Sequence, residues 1–399
     1  MNSTQFRLAS LALSSLIAVG SAWAQDQQIG ARTKAMGGSY TAFEDDPVSV
    51  WLNPAGIATQ PDQMSIAYQT FTGYPVKEKR GSGDTVDFEV NAKTVFVDPA
   101  ILPSYLGLVF QLGNPDSPMA VGVCVARPYH LNYALDKVTD PNQTDFKPQN
   151  NLDQGYIRFR GAFAKDFRFR KAGETGFFPH LSVGAGIDLA VEHWEFTTPE
   201  RPFSDTTPGL GFGAGILLGI YDNTDWLKIN LGAAYQSKVG FSFNIEPDIL
   251  PAFDMPQQIN VGVTAYLLPG TPLRFTADFQ WINWGATAEA PFFSNQPTFE
   301  DAFNFSVGAE YRIGLSETVF LYPRVGYRRF DAPWEDPKNL PATGAFKLVL
   351  DTDDEAFHLF TFGAGISWAS EAAKLRSVDV AADVGGDTVN LALGYTHGF

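Results

Sequence analysis

The chain has 399 residues, with 28 Lys and Arg against 44 Asp and Glu and a formal net charge of −16. That balance excludes a nucleic-acid binder, which needs a basic face to neutralise phosphates. The single cysteine, Cys124, excludes an intrachain disulfide and a cysteine metal cluster.

Residues 1–24 carry the three parts of a secretory signal in order. Arg7 is the only charge before Asp26, the apolar stretch Leu8 to Val19 follows it, and Ala22-Trp23-Ala24 fits small-x-small cleavage. The mature chain is expected to start near Gln25. Beyond residue 24 no run of about 18 apolar residues occurs, so no transmembrane helix is expected.

Residues 25–62 do not alternate as a strand does. Gly30-Ala31-Arg32 and Met36-Gly37-Gly38-Ser39-Tyr40 are turn-prone, Asp45-Asp46-Pro47 marks a helix boundary, and Trp51-Leu52-Asn53-Pro54-Ala55-Gly56 follows. Tyr40, Phe43, Val48, Val50, Trp51 and Ile57 make the segment too apolar for a disordered tail. Placed ahead of a barrel, it is expected to fold into the lumen as a plug.

From residue 63 onward period two dominates. Phe275, Ala277, Phe279 and Trp281 alternate with Arg274, Thr276, Asp278 and Gln280; Phe303, Phe305, Val307 and Ala309 alternate with Asn304, Ser306, Gly308 and Glu310. Helices cannot give this pattern. One face is broad, apolar and aromatic at its ends, and the other carries Gly, Asp, Glu and Arg together, as expected of a lipid-facing wall around a polar lumen. Fourteen candidate strands result, at 63–71, 104–112, 119–133, 152–168, 178–196, 207–221, 226–244, 255–267, 272–284, 301–313, 317–330, 356–370, 374–384 and 387–399. Their connections alternate long and short, which puts the long ones outside and the short turns in the periplasm. The expected fold is all-β: a 14-stranded antiparallel transmembrane β-barrel over 63–399, with an N-terminal hatch at 25–62. Val389, Leu391, Leu393, Tyr395, His397 and Phe399 alternate to the C-terminus, resembling the signal read by the barrel assembly machinery of a Gram-negative outer membrane.

Gly30-Ala31-Arg32 through Met36-Gly37-Gly38, then Asp45-Asp46-Pro47, then Asn53-Pro54-Ala55-Gly56, resembles the N-terminal hatch of the FadL/TodX family of outer-membrane transporters. Met255 to Gly262, Ala277 to Trp284, Val307 to Arg312 and Arg324 to Tyr327 resemble that family's later strands, in order and over most of the mature chain. The resemblance implies a fourteen-stranded barrel closed by a hatch that includes Asn53, Pro54 and Ala55. It implies passive uptake of long-chain fatty acids or aromatic hydrocarbons, and sideways exit near a kinked third strand. In Val121 to His130 the expected break is Pro128, which cannot donate to a ladder; His130 stands where family members often have Gly. The partners implied are a hydrophobic small molecule and outer-membrane lipid, with no cofactor and no metal, and a monomer is expected.

A buried carboxylate head group needs cationic partners. Arg158, Arg160, Arg274, Arg324 and Arg328 fall on lumen parity and are the candidate ligand contacts, because a guanidinium fork takes both carboxylate oxygens. Asp188, Asp278 and Glu310 share that parity, so each arginine has a structural alternative, a charge ladder joining wall and hatch. Asn53 has one too, since Asn-Pro favours a turn. An enzyme is not expected: none of the five histidines, His130, His180, His193, His358 and His397, sits in a Gly-x-Ser-x-Gly or His-Glu-x-x-His context. The alternative function is a PorV-type cargo carrier in protein secretion, built on the same barrel. Ala290 to Phe293 in 285–300, and Trp334 and Phe346 in 331–355, favour an apolar capture surface over that alternative.

Overall fold

The computed structural model describes residues 29–43, 45–72, 87–92, 94–96, 103–114, 116–139, 150–171, 174–197, 203–223, 225–242, 254–267, 273–286, 300–331, 356–369, 375–385 and 388–399. The signal-peptide segment and the loop aromatics at 290–293, 334 and 346 lie outside them.

Fourteen long strands form the wall: β1 (Gln63–Thr72), β2 (Tyr105–Gln111), β3 (Met119–Thr139), β4 (Asn150–Arg168), β5 (His180–Thr197), β6 (Phe203–Asn223), β7 (Leu227–Gln236), β8 (Gln258–Leu267), β9 (Leu273–Ile282), β10 (Ala302–Tyr311), β11 (Val319–Asp331), β12 (Ala356–Ala369), β13 (Leu375–Gly385) and β14 (Thr388–Gly398). Each pairs antiparallel with the next, and β1 closes the ring by pairing with β14 on one side and β2 on the other. Short strands at Asp87–Ala92, Thr94–Phe96, Gly176–Phe177 and Ile313–Gly314 lie in the connections.

The wall is inverted relative to a soluble protein. On β9, Phe275 and Phe279 are exposed while Thr276, Asp278 and Gln280 are buried; on β10, Phe303 and Phe305 are exposed while Asn304, Ser306 and Glu310 are buried. The same alternation puts Phe159, Ile187, Leu210, Phe360 and Leu391 outside and Arg160, Asp188, Thr361 and Asn390 inside. An outward apolar wall this extensive is stable only against hydrocarbon, and closure leaves no edge whose amides would face lipid unpaired. The chain is a transmembrane β-barrel.

Two expectations about boundaries need correction. The strand expected over 226–244 ends at Gln236, because Val239 and Phe241 continue the alternation inside the barrel mouth. Val239 bridges to Met255, and Gly209 and Gly211 on β6 leave the space these side chains enter. The strand expected over 119–133 runs on to Thr139, where its outer end pairs with Asp87–Ala92.

Pro128 breaks the ladder as expected. The β3–β4 register slips between Ala126 and Tyr129, and β2 pairing stops at Tyr105↔Ala126, with one further bond from Arg127 N to Ser104 O at 2.8 Å. Pairing on that side of β3 resumes at Tyr133.

Candidate functional site

The interior is occupied by the N-terminal segment. It comprises α1 (Ala31–Ala35), a four-residue turn of helix α2 (Ser49–Leu52) and a 3₁₀ turn at Pro54–Ile57. Ile29, Met36, Tyr40, Phe43, Val48, Val50, Trp51 and Ile57 form one apolar cluster with inward residues of the wall, including Ala67, Tyr105, Val109, Ala120 and Ala164. Sequence explains the close fit: the wall presents glycine where the segment's backbone arrives. A Cβ on Gly184 would lie 2.5 Å from the carbonyl carbon of Pro54, and one on Gly326 would lie 2.4 Å from Gly37 N. Gly37 has φ 71°, a left-handed conformation that lets the chain turn against β10 and β11.

Polar ties fix the segment around the ring. On β9, Asp278 Oδ2 accepts Tyr40 N and Thr41 N, each at 2.8 Å, and Thr41 Oγ1 at 2.7 Å; its Oδ1 accepts Ser39 Oγ at 3.0 Å. On β4 and β5, Arg160 donates to Asp188 through Nε at 2.6 Å and Nη2 at 2.9 Å, and to Trp51 O through Nη1 at 2.6 Å. Arg158 Nη2 meets Asp188 Oδ2 at 2.5 Å, and its Nη1 donates to Gln236 at 3.2 Å. Both guanidinium carbons lie over the Trp51 ring, at 5.3 and 5.2 Å, within cation–π range.

A second ionic group spans α1, the Asp45 turn and the wall. Arg32 pairs with Asp45 at 3.0 Å and Glu310 at 3.1 Å; Arg274 pairs with Asp45 at 2.9 Å and Glu310 at 3.3 Å; Arg324 pairs with Glu310 and Asp379, both at 2.6 Å. Three cations therefore meet three anions. Lys34 on α1 pairs separately with Asp383, which also accepts from Asn390 at 2.9 Å.

Asn53 holds the segment to itself and to the wall. Its Oδ1 accepts Ala55 N at 3.1 Å, the Asn-Pro turn, and its Nδ2 donates to Thr41 O at 2.7 Å and to Ile216 O of β6 at 3.1 Å. Pro54 and Ala55 sit on Gly184.

Of the arginines anticipated from parity, Arg158, Arg160, Arg274 and Arg324 are ion-paired, and Arg158, Arg160 and Arg274 also touch the N-terminal segment. Arg328 faces another part of the interior. With Gly38, Tyr40, Leu52, Asn260, Gln280, Asn304 and Ser306 it lines an interior cavity of about 30 Å³, room for one or two waters. Its Nη2 lies 3.4 Å from Gln280 Oε1. Tyr40 Oη and Asn260 Oδ1, both buried in this lining, have no hydrogen-bond partner among the described residues. Parity and residue type do not single out Tyr40 or Asn260, which meet only through the fold.

On the outer wall beside the Pro128 break, Leu106, Leu108, Val123, Val125, Phe159 and Leu189 surround an apolar hollow of about 420 Å³ at Gly161. A Cβ on Gly161 would meet nothing within 4 Å.

No family profile matches the sequence, and no curated relative does either. Solved structures do match in shape. A Pseudomonas aeruginosa FadL homologue superposes with a TM-score of 0.56 at 12% identity, covering 93% of this chain and 98% of its own. The Pseudomonas putida toluene transporter TodX gives 0.57 at 15% identity over 94% and 99%, and the Ralstonia pickettii toluene transporter TbuX gives 0.54 at 16% over 94% and 99%. At such identities the likeness concerns architecture, and this chain has the barrel fold of the FadL and TodX transporters.

Proposed function

We infer that the protein is a passive outer-membrane passage for hydrophobic small molecules, with residues 25–62 as its hatch. The observation that carries this reading is a wall built for lipid around a lumen filled by the chain's own N-terminal segment. A water-filled pore has no use for such a seal. A carrier of apolar molecules does, because it must pass its cargo without leaking ions. The fold shared with a FadL homologue and with toluene transporters supports the same class of cargo.

Within that class the reading covers long-chain fatty acids and aromatic hydrocarbons. Each buried CH₂ contributes roughly 0.8 kcal/mol to holding an acyl chain. The cavity bounded by Arg328, Tyr40 and Asn260 suits a polar head, and the hollow beside Pro128 suits sideways exit of a tail. In the closed arrangement the 30 Å³ cavity is too small for either cargo, so the hatch must shift during passage.

Native mass spectrometry with lipid extraction, on the detergent-purified protein, tests the reading. A panel of fatty acids and aromatic hydrocarbons is added to wild type and to a variant lacking residues 25–62. Saturable one-to-one binding that changes on hatch removal supports it. Failure to bind any of the panel, with a secreted protein co-purifying instead, replaces it with the cargo-carrier reading.

A further inference from the structure

The buried acids of the interior are well supplied with donors. Asp278 receives four, and Asp188 is held by Arg158 and Arg160. Glu310 is shared by three arginines. Asp379 has Arg324 and Ser377, and Asp383 has Lys34 and Asn390. Asp166 has His180, Ser182 and Arg168, and Glu192 has Gln154 and Trp194.

Among the described residues Asp46 is the exception. It is 7% exposed, and its carboxyl accepts one bond, from Val48 N at 2.9 Å. It stands next to Asp45 in a neighbourhood whose three arginines are already matched by Asp45, Glu310 and Asp379. An ionised Asp46 is therefore a surplus negative charge, short of donors, in a buried seat.

The surrounding backbone makes this position mechanically important. Asp46 O accepts Gln60 Nε2 at 2.9 Å and Ser49 N at 3.0 Å, and the next carbonyl, Pro47 O, accepts the Tyr105 hydroxyl of β2 at 2.5 Å. The turn from Asp45 to Leu52 thus depends on what the Asp46 carboxyl tolerates.

We propose that Asp46 is a proton-operated latch on the N-terminal segment: its neutral acid keeps the 45–52 turn seated against the wall, and its carboxylate loosens that turn. The latch concerns the seating of the segment and holds whatever the barrel carries. The charged and titratable groups around it are Arg32, Tyr40 and Asp45 on the segment, Asp379 on β13 and Tyr105 on β2.

Burial pushes the Asp46 carboxyl up to about 6 from 3.8. Arg32 and the Val48 amide oppose the rise, and Asp45 and Asp379 add to it. For an acid whose value is raised in the seated state, the favourable contribution is complete below 3.8, declines above that and is gone once the pH has passed about 6. Acid therefore seats the turn, and neutral pH loosens it.

Hydrogen exchange on the intact protein in micelles reads this directly. After correction for intrinsic rates, peptides covering 45–60 should lose protection roughly tenfold between pH 5 and pH 7.5, with peptides from β12 unchanged. Asp46→Asn and Asp46→Ser, both neutral and both able to cap Val48 N, should abolish the change and keep the turn protected at both values. A wild type whose 45–60 protection is flat with pH overturns the latch whatever the variants do. A pH dependence that persists undiminished in a folded variant also overturns it.

Discussion

Thr41 donates twice to a single oxygen of Asp278, from its amide at 2.8 Å and its hydroxyl at 2.7 Å, across 237 residues of sequence. With Tyr40 N and Ser39 Oγ this makes one wall carboxylate the receptor for a three-residue stretch of the segment. Asp278→Ala strands buried donors at about 1–3 kcal/mol each. The amides of Tyr40 and Thr41 should then exchange at least about tenfold faster, while the β9 ladder keeps its protection. Unchanged exchange at these two amides would show that the apolar cluster alone seats the segment.

Arg160 joins Asp188 to Trp51 O. Removing one partner from a buried ion pair costs about 3–5 kcal/mol, because the other charge is left uncompensated. Arg160→Gln should lower the urea midpoint strongly, and Arg160→Lys should restore only part of the loss, since an ammonium lacks the fork that spans Asp188 and Trp51 O. Equal midpoints for Arg160→Lys and wild type would contradict the bidentate role.

A Cβ on Gly215 would stand 1.9 Å from Asn53 Oδ1. Gly215→Ala must push Asn53 away from Ile216 O and Ala55 N, so the seal should leak. The expected result is higher ion conductance in planar bilayers and sensitivity of cells to large polar antibiotics. Gly155→Ala, on β4 with nothing within 4 Å, serves as the control and should stay silent.

The inverted wall predicts a contrast between faces. Phe279→Arg places a charge in lipid and should cost about 2–4 kcal/mol near the bilayer midplane. Gln280→Glu, a nearly isosteric charge placed inward on the same strand beside Arg328, should leave insertion into vesicles far less affected. Folding yields into vesicles measure both, and equal losses would argue that the two faces are alike.

Much of the wall is legible in the sequence because the side-chain period of a strand is local: Phe275 and Phe279 point outward for the same reason wherever their partners lie. Pro128 is legible through its missing donor, and the register slip sits where that rule puts it. Val239 and Phe241 misled because an inward-folded loop keeps the same alternation as a wall strand. The arginines were legible as lumen-facing, but parity does not reveal partners. Asp188 and Glu310 do form ion pairs with them, whereas Asp278, of the same parity, takes amides and hydroxyls from the segment. The Asp278 contacts depend on chain folding across more than 200 residues, as do the surplus charge at Asp46 and the meeting of Tyr40 with Asn260.

The claim that the N-terminal segment gates a hydrophobic passage is tested most directly by locking it. Ala31 Cβ lies 3.3 Å from where a Cβ on Gly394 of β14 would be, with nothing nearer, so Ala31→Cys and Gly394→Cys can be bridged after small adjustment, in a Cys124→Ser background. Uptake of radiolabelled oleate and toluene by cells is then compared with the pair oxidised and reduced. Uptake lost on oxidation and recovered on reduction is the predicted result. Uptake at the same rate in both states would contradict the gate.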